Sequence, residues 1–288
     1  MSAFFYIVTE GVHDVAFLGR LLSVAHGASR IKKLEDLDDA QRGWLGGFKW
    51  PNKSGAHHDI ARLAVPAPAF YRLATNEVVA LRNAQGLTEI GKTLVIDLEA
   101  FCRGQNGPEA IGVVLDSDDE PAEQRFAKLK ASLEVVKLPV PSSLGAVSNG
   151  SPRVGVFALP EPGAAGTLED VLLALGDAAY PGLAAAARGY ADQWRQKADA
   201  EPPSPDWKEF RKPAGAKKAT IGAMTAVLKP GKSTQVSLED NRWVSEHTKA
   251  LACLQPSLVF LSALLTTPVP PATVPAAQDG LFGDKENE

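Results

Sequence analysis

The chain is poor in cysteine, has no long apolar run and carries no excess of one charge, and each shortage narrows what it can be. Its 288 residues include two cysteines, Cys102 and Cys253, far apart in sequence. Neither a disulfide framework nor a thiolate zinc site is therefore available, and any metal must be held by oxygen or histidine. No segment approaches the roughly 18–20 apolar residues that span a bilayer; Leu258 to Leu265 is short and interrupted by Ser262. The pattern predicts no integral membrane segment. The N-terminus has no basic residues before its apolar stretch, and Glu10 and Asp14 follow too early for a signal peptide, so the expected location is cytoplasmic. The 30 basic and 34 acidic side chains nearly balance, and 45% of the residues are hydrophobic, the composition of a globular protein.

Short apolar runs alternate with longer helical patterns. Phe4 to Val8 precedes a helical pattern from Val12 to Ala25, and Val78 to Leu81 precedes another after Gly86. Ile111 to Leu115 is followed by Gln124 to Leu133, and Val154 to Leu159 by Leu168 to Leu175. Strands alternating with helices imply an α/β, mostly parallel sheet flanked by crossover helices. Residues 1–175 read as this domain, interrupted from about 27 to 75 by a glycine-, proline- and tryptophan-containing insertion expected to be irregular and short helical. Residues 176–265 read as a helical C-terminal appendage, with helices over Ala184 to Ala198, Lys218 to Leu228 and Val244 to Leu265, the last broken at Pro256. Residues 266–288 carry four prolines and four acids against Lys285, which predicts a disordered tail.

In a parallel sheet, ligands bind beyond the carboxyl ends of the strands. The residues there are acidic: Glu10 and Asp14 after the first strand, Asp116, Asp118, Asp119 and Glu120 after the third, Glu169 and Asp170 after the fourth. Ionised carboxylates in one crevice repel unless a cation neutralises them, and hard oxygen donors suit magnesium or manganese. Period-two alternation would point Asp116 and Asp118 to one face. A single acid in a first helical turn is also a common cap, and Asp119, Glu120 and Asp170 read best that way.

Glu10-Gly11-x-x-Asp14, followed by Val113-Val114-Leu115-Asp116-Ser117-Asp118, resembles the Toprim domain of topoisomerases, DnaG-type primases, recombination-repair proteins and OLD-family nucleases. The runs Gly166-Thr167-Leu168-Glu169-Asp170 and Lys218-Ala219-Thr220-Ile221 resemble the OLD-type pattern and a bacterial Toprim-related family. The resemblance implies a Toprim-like (Rossmann-like) sheet, Glu10 as catalytic acid or base, and two Mg2+ or Mn2+ ions. It implies Glu10, Asp14, Asp116, Asp118, Thr167 and Glu169 as metal ligands and Lys218 as a phosphate contact. The expected activity is hydrolysis of phosphodiesters in nucleic acid, in DNA repair or phage defence. A Toprim-fold module that only recruits nucleic acid or an ATPase is the alternative, and an aspartyl-nucleophile phosphatase a third reading. OLD-type proteins include an ATPase; no phosphate loop of the Gly-x-x-x-x-Gly-Lys-Ser/Thr kind occurs here, so an ATPase would be a separate partner.

Two further segments suggest partners. Trp207 to Lys218 sets Lys208, Arg211, Lys212, Lys217 and Lys218 beside Trp207 and Phe210, a composition able to follow a phosphate backbone and stack a base, or equally to form a solvated loop with its two aromatics anchored in the core. In the tail, Gln278-Asp279-Gly280-Leu281-Phe282 resembles the peptides that dock on the bacterial sliding clamp, with Gln278, Leu281 and Phe282 as the contacts. His57 and His58 lack ligand spacing. His13, inside the first acidic motif, reads equally well as a phosphate contact and as a surface helical position.

Overall fold

The six residues FFYIVT are aromatic or β-branched throughout, the composition of a strand covered on both faces. They form β1 (Phe4–Thr9), all six buried. The computed structural model describes residues 3–45, 68–103, 107–118 and 120–266. After β1 come α1 (Val12–Ala25), β2 (Ser29–Ile31), α2 (Asp39–Leu45), β3 (Ala69–Arg72), β4 (Val78–Asn83), α3 (Leu87–Arg103), β5 (Ala110–Asp116) and α4 (Ala122–Val135). They are followed by β6 (Arg153–Leu159), α5 (Leu168–Ala179), α6 (Pro181–Ala200), α7 (Gly215–Leu228), α8 (Thr234–Asp240) and α9 (Gln255–Leu265). The sheet order is β2-β3-β4-β1-β5-β6. β4, β1, β5 and β6 are parallel, and β2 and β3 extend one edge antiparallel. This is the expected α/β, Rossmann-like sheet.

Period-two alternation divides the core. Phe5, Ile7, Val114 and Phe157 face α1 and the helices from α5 onward, while Tyr6, Val8, Val113 and Val156 face α2, α3 and α4. The C-terminal helices are thus part of one sheet face. Gly112 and Gly155 are register partners on β5 and β6, and a Cβ on them would lie 2.7 Å from Leu264 and 2.8 Å from Phe260. The missing side chains let α9 lie directly on the sheet. Arg153 then holds the end of α9, donating to the carbonyls of Ala263 (3.1 Å) and Leu264 (2.9 Å) that the helix leaves unpaired.

Three expectations are corrected. The insertion from 27 to 75 contributes strands β2 and β3, because Phe70 and Tyr71 pack on opposite faces of the sheet beside β4; residues 46–67, including His57 and His58, lie outside the described residues. The last helix starts at Gln255, not Val244. Pro256 sits in its first turn, where no N–H is needed. Upstream, the Thr248 hydroxyl bonds the Trp243 carbonyl (2.9 Å) and accepts from the Ser245 N–H (2.9 Å), so the backbone turns instead of winding into helix. α8 was also not expected; it packs against α1. The tail from 267 onward, with Gln278, Leu281 and Phe282, lies outside the described residues.

Candidate functional site

The carboxyl ends of β1, β5 and β6 bring together residues separated by more than 150 positions. Thr9 ends β1, and Glu10 and Gly11 turn the chain into α1. The Gly11 N–H is accepted by Asp14 Oδ2 at 2.8 Å, so Asp14 closes the first turn of α1 while lying buried among the other acids. Asp116 ends β5, and its Oδ1 accepts the N–H of Leu168 (2.8 Å), the first residue of α5. Glu169 follows in that helix, also buried. Loops after β5 and β6 are clasped by a pair of backbone bonds, Asp118 N–H to Gly166 O (2.7 Å) and Gly166 N–H to Asp118 O (3.0 Å).

The electrostatics follow from this crowding. Burial first, and then the charges of Asp14, Glu169 and Glu10, push Asp116 up to about 9, against the opposing hydrogen bond from Leu168. Burial pushes Asp14 up to about 7, with Glu10 and Glu169 adding to the rise and the Gly11 N–H and Lys218 opposing it. Glu10 is also raised, mainly by burial, with Arg125 acting in the other direction. His13 is lowered by burial, with Glu169 opposing. Four carboxylates therefore share one field, and the protein leaves them only partly compensated.

Asp118 departs from the alternation argument. β5 ends at Asp116, and Asp118 has φ of 50°, a left-handed conformation that breaks the period-two geometry. Its carboxylate is half-exposed and pairs with Arg125. Arg125 was not foreseen. One of its guanidinium nitrogens reaches Glu10 Oε1 (3.1 Å) and the Asp116 carbonyl, the other reaches Asp118, and the side chain is 11% exposed. The available signal was a cation in the first turns of α4, where the helix dipole disfavours positive charge and a partner is needed.

The basic segment is largely used within the protein. Arg211 donates to the carbonyls of Ala198 (3.1 Å), Glu201 (2.6 Å) and Pro202 (3.2 Å), closing the end of α6. Lys212 pairs with Glu209 at 2.6 Å, and Trp207 stacks on Trp194 with centroids 6.1 Å apart. Arg211 and Trp207 are thus withdrawn from the nucleic-acid surface expected for them, because α6 needs a cap and Trp194 needs cover. Lys208 is exposed. Lys217 pairs with Asp170 at 2.6 Å, and Asp170 also accepts the Thr167 N–H (2.9 Å), the capping role read from sequence. Lys218 is exposed, with Nζ 3.9 Å from Glu169 Oε1, and is the lysine that reaches the acid cluster. Glu120, expected as a cap, instead pairs with Lys128 at 2.7 Å on the surface; Asp119 lies outside the described residues.

Among the described residues, no three His, Cys, Asp or Glu side chains stand ready to hold a metal ion as they lie. The donor chemistry nonetheless fits a hard divalent cation: Asp14, Asp116 and Glu169 supply carboxylates, and the buried Thr167 hydroxyl has no hydrogen-bond partner. These side chains would have to move to close their oxygens on an ion.

The fold and strand-end acids define an α/β protein with a polar crevice at the carboxyl edge of its sheet, the usual ligand position in this architecture. The chain belongs to DUF3226, a family described as proteins of unknown function, whose profile matches residues 5–258 and so spans the sheet and the C-terminal helices. A similar solved structure is the crystal structure of hypothetical protein PH0156 from Pyrococcus horikoshii OT3, with a TM-score of 0.53 and 17% identity over 91% of this chain and 95% of that one. That likeness is one of fold. No curated protein matches the chain significantly. Among the described residues, no helix is long and apolar enough to cross a membrane.

Proposed function

We propose that this protein is a Mg2+- or Mn2+-dependent hydrolase of phosphodiester bonds in nucleic acid, acting in the cytoplasm in repair or phage defence. The observation that carries the proposal is the set of mutually repelling carboxylates at three adjacent strand ends, Asp14 and Glu169 buried and Glu10 and Asp116 partly buried, with Lys218 at its rim. A crevice that raises Asp14 to about 7 and Asp116 to about 9 is stabilised by a cation. The order of these acids also resembles the Toprim pattern.

Asp14, Asp116, Glu169 and Thr167 would hold the ion, which would supply Lewis-acid activation of the phosphate and of a water. Glu10 stands at the end of β1, fixed by the Asp116 N–H at 3.3 Å and by Arg125, and acts as the base that takes the water's proton. Lys218, exposed and free to swing from Glu169, meets the phosphate oxygens as charge develops on them. Lys208 extends the backbone contact. An ATPase supplied by a separate chain and a sliding clamp bound through Gln278, Leu281 and Phe282 are the partners this reading includes.

The test is cleavage of labelled single- and double-stranded DNA and RNA with Mg2+ or Mn2+, comparing wild type with Asp116→Ala and Glu10→Gln. Metal-dependent cleavage lost in both variants is the expected result. A binding module without catalysis is the second reading, favoured by the absence of a ready-made metal site among the described residues; nucleic-acid binding with no cleavage under either metal would select it.

A further inference from the structure

Arg125 lies in the acid cluster as a permanent cation. A guanidinium keeps its charge at any pH a folded protein meets, and its planar fork matches carboxylate geometry. Here both terminal nitrogens of the fork are engaged, while Nε is buried without a partner. One nitrogen bonds Glu10 Oε1 (3.1 Å) and the Asp116 carbonyl, and the other bonds the Asp118 carboxylate. The backbone of α4 sets the position, since the Arg125 N–H reaches the Pro121 carbonyl (3.4 Å) at the start of the helix. With 11% of the side chain exposed, the guanidinium is enclosed, and leaving would strip two acids of their counter-charge.

The other half of the cluster differs. Among the described residues, Asp14 and Asp116 each have one carboxylate oxygen bonded to a backbone N–H and the other without a hydrogen bond. Thr167 Oγ1, beside them at the head of α5, is buried and without a partner. Glu169 is buried too, and its nearest cation is the exposed Lys218 at 3.9 Å. Each of Glu10, Asp14, Asp116 and Asp118 thus keeps one oxygen without a hydrogen bond, but a bonded cation stands only on the Glu10 and Asp118 side; among the described residues, Asp14 and Asp116 have none.

We infer that Arg125 takes the place of a second metal ion, so that the cluster binds one divalent cation, on Asp14, Asp116 and Glu169, instead of the two that the Toprim resemblance implies. This rests on the metal-dependent reading above. A second divalent ion at Glu10 and Asp118 would have to sit against the guanidinium, where like charge excludes it. Arg125 is accordingly a positioning residue: it holds Glu10 for the water and fixes the ion count.

The experiment is calorimetric titration of the full-length metal-free protein with Mn2+, with the stoichiometry checked by electron paramagnetic resonance of free Mn2+. Wild type, Arg125→Lys and Arg125→Gln are compared, with circular dichroism to verify folding. One ion per chain in wild type and Arg125→Lys, and two in Arg125→Gln, is the expected result. Two ions in wild type would overturn the inference while leaving metal dependence intact, as would a single ion in a folded Arg125→Gln. No ion in wild type would overturn both the inference and the metal-dependent reading. If Arg125→Gln fails to fold, the wild-type and Arg125→Lys counts still decide between one ion and two.

Discussion

Asp116 Oδ1 accepts the N–H of Leu168 at 2.8 Å, tying the end of β5 to the first residue of α5 across 52 positions of sequence. The bond gives the carboxylate one fixed oxygen and leaves the other toward Asp14 and Glu169, whose charges raise it further. A group that both orders the crevice and suffers in it should reveal itself in stability before any substrate is found.

The pH dependence follows from the direction of the shifts. Asp14 and Asp116 are raised from 3.8 to about 7 and about 9, so the folded chain holds protons that the unfolded chain has lost. Their contribution to stability is fully present below about 3.8 and disappears as pH rises through 7 and 9. Metal-free Asp116→Asn, which removes the charge and keeps the shape, should melt higher than wild type at pH 9, with the gap narrowing toward pH 5. Each kcal/mol corresponds to roughly 2–4 °C in a chain of this size. Differential scanning calorimetry across that range checks it; a variant that melts lower at pH 9 would contradict the repulsion.

Gly166 has φ of 136°, and a Cβ there would meet Asp170 Oδ2 at 2.8 Å. Gly166→Ala must strain the backbone and displace the cap that orients α5, and with it Glu169. A loss of about 1–3 kcal/mol in urea unfolding is expected from the strained conformation.

Adjacent lysines should separate cleanly. Lys218→Ala is expected to lower turnover by about 10²–10³-fold, the range for removing one group that stabilises developing charge, with little change in melting because its pair with Glu169 is long and the lysine exposed. Lys217→Ala breaks the surface pair with Asp170 and should leave turnover within a few-fold of wild type. Steady-state kinetics on the same substrate compares them.

On the opposite face, Asp97 is buried and accepts from the Tyr6 hydroxyl (2.5 Å) and the Trp44 indole (3.3 Å), with Arg82 Nε at 3.4 Å. Asp97→Ala removes a buried carboxylate that one cation and two donors share. Removing one side of such a buried network costs about 3–5 kcal/mol, and chemical denaturation should register it without metal affinity changing.

The parts legible in sequence were those governed by local chemistry. The apolar run from Phe4 to Val8 read as a strand, and acids recurring after successive strands pointed to Glu10, Asp14, Asp116 and Glu169 because parallel topology brings strand ends together. What was hidden depended on contacts across the fold. Arg125 looks like any helix arginine until α4 places it between Glu10 and Asp118. Arg211 reads as a phosphate contact until the end of α6 supplies carbonyls to bind. Asp118 obeyed the alternation rule on paper, but the strand had already ended two residues earlier. β2 and β3 are three and four residues long, too short for periodicity to distinguish from loop.

The most direct test of the central claim uses a substrate with no sequence, strand or partner requirement: hydrolysis of bis(p-nitrophenyl) phosphate by the full-length protein with Mn2+ or Mg2+, beside Asp116→Asn. Release of p-nitrophenolate that requires the metal and is abolished in the variant is the predicted result. Equal release by wild type and Asp116→Asn, or none from wild type under saturating metal, would contradict hydrolysis at this acid cluster.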